Sequence, residues 1–64
     1  MQTQFYDHLS EKTTSRDFSS VQIISSKHES GHFLITFYHS LNYSEEFLID
    51  HKEWDIIRHN HFSQ

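Results

Sequence analysis

The sequence predicts a small α+β fold: an antiparallel three-stranded sheet, made of a hairpin plus a third strand, with a carboxy-terminal helix packed on one face. Three observations lead there. The run His32 to His39, His-Phe-Leu-Ile-Thr-Phe-Tyr-His, is the longest apolar stretch and directly follows the only glycine, Gly31. Val21, Ile23 and Ile24 stand among serines shortly before that glycine. Asp50 is followed three residues later by Glu53 and then by Trp54, Ile56 and Ile57, the pattern of a capped amphipathic helix.

Taken in order, residues 1–17 are an amino-terminal appendage of uncertain structure. Phe5 and Leu9, four apart with Tyr6 beside them, suit one short helical turn, with an extended edge segment as the alternative. The run Ser10-Glu-Lys-Thr-Thr-Ser-Arg-Asp17 is wholly polar and reads as a loop. The core then spans residues 18–62. Phe18 to Ser26 is expected as the first strand, with Val21 and Ile23 on one face and Ile24 on the other. Lys27 to Gly31 supplies the turn, with Gly31 at the φ > 0 position of a hairpin that runs to His39. Ser40 to Ser44 is a short connection, which Leu41 and Tyr43 can shorten further by extending the pairing. Glu46 to Ile49 forms the third strand. A helix begins at His51 and runs to about His59 or His61, with the Asp50 carboxylate accepting from the early amides and Glu53 reaching back to the cap amide.

The 64 residues suffice for one domain. A domain this small buries only roughly 60% of the surface of its unfolded chain, and without cysteine it has neither a disulfide nor a thiolate zinc site to compensate. An aromatic content of 16% nevertheless supports a packed core. The net charge of −4 speaks against a binder of nucleic-acid backbones, which obtains its affinity from Lys and Arg. The amino terminus has no basic n-region or apolar h-region, and no apolar run approaches the length of a membrane span, so the expected location is cytoplasmic.

Signatures of catalysis are missing from the letters. One glycine cannot build a phosphate loop, no serine lies in a Gly-x-Ser-x-Gly turn, and a chain this short has little room for a pocket of roughly 300–1,000 Å³. The seven histidines invite a metal reading that their spacings do not support. His59 and His61 fall on different sides of a helix, and His51 and His59 share a side with no third ligand. His28 and His32 flank the hairpin turn and can approach each other across it, but two histidines without a carboxylate or thiolate make a weak zinc site. No cofactor, catalytic residue or metal ligand is therefore assigned.

The functional expectation comes from the two faces of the His32–His39 strand. Phe33, Ile35 and Phe37 share a face with Val21 and Ile23, and Trp54, Ile56 and Ile57 of the helix can cover it. Leu34, Tyr38, Ile24 and Leu48 form a second face too apolar for free solvent, and exposed patches of that kind mark protein contacts. Glu45, Glu46, Asp50 and Asp55 concentrate negative charge in the later part of the chain, which would face a basic partner. The expected function is a non-enzymatic protein-binding module, a small regulator or inhibitor that occludes a partner's surface and forms a homodimer. Small acidic proteins of phages and mobile elements offer an analogy of size and charge alone. The alternative is single-stranded nucleic-acid binding, with Phe33, Phe37, Tyr38 and Tyr43 as a stacking platform.

Overall fold

The computed structural model describes residues 2–19 and 21–62. The elements are β1 (Gln2–Asp7), β2 (Lys12–Asp17), β3 (Gln22–Lys27), β4 (Phe33–Ser40), β5 (Tyr43–Ile49) and α1 (His51–Phe62). They form the expected α+β fold. The three-stranded antiparallel sheet has the order β3-β4-β5, and the helix follows β5 directly. What the sequence did not announce is a second two-stranded sheet, the antiparallel hairpin β1-β2.

The central hairpin has the predicted turn. Gly31 adopts φ +92°, its amide donates to the His28 carbonyl at 3.0 Å, and the His28 amide donates to the His32 carbonyl at 2.7 Å. A Cβ at Gly31 would meet no neighbour, so the requirement for glycine is conformational rather than spatial. The strand before it starts later than expected, at Gln22, and Ser20 lies outside the described residues. Strand β5 starts earlier than expected, at Tyr43, because Leu41 and Asn42 alone make the turn and Ser40 pairs with Tyr43.

Pairing places Ile23, Phe37 and Glu45 in one row, Ser25, Ile35 and Phe47 in the next, and Lys27, Phe33 and Ile49 in a third. All three rows belong to one face, since directly opposed residues in an antiparallel sheet point the same way. That face carries the core. Ile35, Phe37, Phe47 and Ile49 are buried there with Trp54 and Ile57 of the helix, while Val21, Ile23 and Phe33 pack at its margin. Ile56, expected beside them, is 63% exposed. Trp54 and Ile57 lie three apart and so define the centre of the buried stripe, and Ile56 is rotated off it.

The amino-terminal segment is not a helical turn. In β1, Thr3, Phe5 and Asp7 point inward while Gln2, Gln4 and Tyr6 are exposed, the alternation of a half-buried strand. Phe5 enters the same core, edge-on to Phe47 at 5.1 Å and to Phe18 at 5.8 Å. Phe18 follows β2 rather than opening β3, and its ring meets Phe37 at 5.0 Å and stacks on His61 at 5.3 Å. Phe5, from the expected appendage, and Phe18, expected to open the first strand, are thus two of the five most completely buried side chains.

Two polar ties fix this hairpin to the sheet. Asp7, only 3% exposed, accepts through Oδ1 from the amides of Leu9 (3.0 Å) and Leu48 (2.9 Å), and through Oδ2 from the Ser10 amide (3.3 Å) and hydroxyl (2.8 Å). The neighbouring His8 amide donates to the Leu48 carbonyl at 2.8 Å. Burial alone would push the Asp7 carboxyl up. The donors from Leu48, Ser10 and Leu9 together outweigh that effect and hold it below its ordinary value. The second tie is a fork: Arg16 Nε and Nη2 donate to Glu45 Oε1 and Oε2 at 3.0 and 2.7 Å, with the guanidinium 5.3 Å from the Phe47 ring centroid. His39 Nε2 lies 2.8 Å from Glu45 Oε1. The Arg16 hydrogen bonds, joined by His39, draw the Glu45 carboxyl down to about 2 against the cost of burial.

Three outcomes follow for stability. Trp54→Ala is expected to cost about 3–5 kcal/mol in urea unfolding, whereas Ile56→Ala changes it by less than about 0.5 kcal/mol. Asp7→Asn places an amide NH₂ among backbone donors and costs about 1–3 kcal/mol. Because the folded-state pKa of Glu45 lies below the ordinary 4.5, its contribution is complete above pH 4.5 and is lost as pH falls toward about 2. Urea midpoints measured across that window fall, and Glu45→Gln makes the fall shallower. An equal slope in the variant would show that the fork is not what the acid breaks.

Candidate functional site

The second face of the three-stranded sheet is the candidate site. Its rows are Gln22, Tyr38 and Ser44, then Ile24, Thr36 and Glu46, then Ser26, Leu34 and Leu48. Helix α1 and the Phe5 and Phe18 side chains all pack against the opposite face, so the chain does not spread its cover over both. Ile24 is 52% and Tyr38 43% exposed, Leu34 and Leu48 are half-buried, and Glu46 is exposed. The face therefore carries four apolar side chains and one carboxylate, Glu46, which stands on β5 opposite Thr36 and between Ser44 and Leu48 along the strand. Strand β3 forms an edge of this sheet, and among the described residues nothing pairs with its outer side.

The structure brings together five of the expected contact residues, Ile24, Leu34, Tyr38, Leu48 and Glu46, and separates the other three from them. Glu45 points to the core face and is held by Arg16 and His39. Asp50 caps the helix, with Oδ1 accepting the Lys52 amide at 2.9 Å. Asp55 pairs along the helix with Arg58 at 2.9 Å and with His51 at 3.4 Å. Glu53, expected to complete the cap, instead turns to β1 and accepts the Tyr6 amide at 3.1 Å.

The aromatic platform is likewise divided. Phe37 is fully buried, and Phe33 packs at the core margin and stacks on His51 at 5.5 Å. Tyr38 remains on the second face, and Tyr43 stacks on His39 near the β4–β5 turn. Separate from that face, an open cleft between β3 and the helix is lined by Ile23, Ser25, Trp54 and Arg58, a set with one charged group and no general base.

His28 and His32 approach each other across the hairpin turn, as their spacing allowed. They meet through a third residue, the Ser30 hydroxyl, which lies 2.9 Å from Nδ1 of each. His61 Nε2 is 2.7 Å from the Thr3 hydroxyl. His8, which the sequence reading left aside, stands with its ring centroid 4.3 Å from that of His32. No local pattern signals this proximity, because it is created by the attachment of the β1–β2 hairpin to β5.

In comparisons with known proteins, no family model, no curated protein and no solved structure matches this chain.

Proposed function

We propose that the chain is a non-enzymatic, cytoplasmic protein-binding module, a regulator or inhibitor that lays the open face of its three-stranded sheet over an apolar, basic patch of a partner protein. The observation that carries this reading is the one-sided core. Helix and amino-terminal hairpin both cover the Phe37 face, and among the described residues Ile24 and Tyr38 stay exposed and Leu34 and Leu48 only half-buried on the other. The occupant follows from charge. Glu46 stands on the β5 side of the face, and the chain carries a net charge of −4, so a basic partner meets complementary charge where a second copy meets its own. A Lys or Arg flanked by apolar side chains would satisfy Glu46 and cover its neighbours together.

Location on the Tyr38 face is tested by replacing Tyr38 with a photoreactive phenylalanine derivative in the native host. A crosslinked protein is expected from Tyr38 and not from the same group at His59. Once purified, that partner is expected to bind the wild-type chain, and Glu46→Lys or Leu34→Glu to weaken binding at least about tenfold, the loss of a buried central contact. Equal crosslinking from both positions would sink the proposal. So would a wild-type dimer in sedimentation that Leu34→Glu converts to monomer, which would assign the face to a second copy. Binding of a labelled single-stranded oligonucleotide tighter than about 1 μM at low salt, collapsing as salt rises, would replace it with the nucleic-acid reading.

A further inference from the structure

We infer that His8, His32 and Asp50 form a binding site for a divalent transition-metal ion of the zinc class, which fastens the two hairpins and the helix start to one another. One donor atom from each of the three residues lies within 4.8 Å of the other two. Donors on a tetrahedral zinc at about 2.0–2.2 Å stand about 3.4 Å apart. Closure therefore needs side-chain rotations of the order of 1 Å, available to residues that are half-buried or exposed.

The backbone brings these positions together independently of any rotamer. Phe33 pairs with Ile49 at the end of the β4–β5 ladder, so the next positions outward are His32 and Asp50. His8 is delivered to the same corner by the hydrogen bond its amide donates to the Leu48 carbonyl and by the four hydrogen bonds that Asp7 beside it accepts. Three separate segments converge on one point: the β1–β2 turn, the β3–β4 turn and the helix cap.

Hydrogen bonds also prepare the donors. The Ser30 amide donates to His28 Nδ1 at 3.2 Å, which makes that nitrogen an acceptor. The Ser30 hydroxyl then gives its proton to His28 and accepts from His32 Nδ1–H at 2.9 Å, leaving the lone pair of His32 on Nε2. Such an oriented imidazole, held by an outer hydrogen-bonding group, is the usual arrangement around a metal-bound histidine. Asp50 engages Oδ1 in the helix cap and has Oδ2 to offer. Two imidazoles and one carboxylate suit zinc, nickel or copper better than calcium or magnesium, and they leave a fourth tetrahedral position for water. For a chain of 64 residues without cysteine, such an ion would do the work of a disulfide.

The test uses the full chain, stripped with a chelator and titrated with zinc chloride by calorimetry and thermal unfolding. One ion per chain and a rise in Tm are expected. His8→Gln, His32→Gln and Asp50→Asn should each weaken binding at least about tenfold and remove the rise, and Ser30→Ala should weaken it about tenfold. Asparagine is as good a helix cap as aspartate, so Asp50→Asn separates loss of the ligand from loss of the cap. His59→Gln should change neither reading. The inference is overturned if zinc leaves Tm unchanged, if the three ligand variants bind as the wild type does, or if His59→Gln loses as much as they do.

Discussion

The Asp7 carboxylate is the interaction on which the arrangement of this protein depends. It is buried, yet it is anchored by donors from its own turn and by the Leu48 amide of a strand far away in sequence. At that point of β5 a side-chain oxygen does what a neighbouring strand's carbonyl would do in a longer sheet. Hydrogen bonds to a charged acceptor are about twice as strong as neutral ones, and an unpaired carboxylate at this depth would be costly. The attachment is thus specific in register: shifting β1 by one residue would expose Asp7 and bury Tyr6 instead.

From that attachment follows the one-sidedness of the core. With Asp7 on the β5 edge and Arg16 forked onto Glu45, the hairpin delivers Phe5 and Phe18 to the face already covered by Trp54 and Ile57. A chain of this length has few large apolar side chains to distribute, and gathering them on one face completes one core instead of leaving two half-formed ones. The consequence is a sheet whose other face keeps Ile24 and Tyr38 in solvent. The same attachment carries His8 to the corner occupied by His32, so the open face and the histidine corner have a single structural origin.

The parts legible in the sequence are those whose signals are local. Gly31 after a polar tip, the alternation through Phe33, Ile35 and Phe37, and Asp50 ahead of the helix each specify structure within a few residues. Strands β1 and β2 were not legible for the opposite reason. The inward positions of β1 are Thr3, Phe5 and Asp7, only one of them apolar, and β2 reads Lys-Thr-Thr-Ser-Arg-Asp. Both strands are stabilised by partners distant in sequence, Leu48 and Glu45, which no window of hydropathy contains. Ile56 and Ile57 illustrate a finer limit: adjacent residues on a helix differ by about 100° in direction, and both fit a broad apolar arc until the packing partner fixes its centre. Among the contact residues, strand alternation sufficed to place Leu34, Tyr38 and Leu48 on one face, whereas charge density alone could not distinguish Glu46 from Glu45.

That last distinction changes what the acidic character of the chain means. Asp7 holds a hairpin, Glu45 an arginine fork, Asp50 a helix start, Glu53 the Tyr6 amide, and Asp55 two neighbours on its own helix. These carboxylates are occupied in building the fold rather than in presenting charge to a partner. Glu46 differs from them in setting: it stands exposed on β5, opposite Thr36 and next to Leu34 and Leu48, on the face that the core leaves open. A carboxylate in a mainly apolar patch gives direction to an otherwise undirected surface, since any partner that desolvates it must return a donor. On the proposed function, a partner would therefore be selected by the position of one charge rather than by the total, and the register of β4 against β5 sets that position.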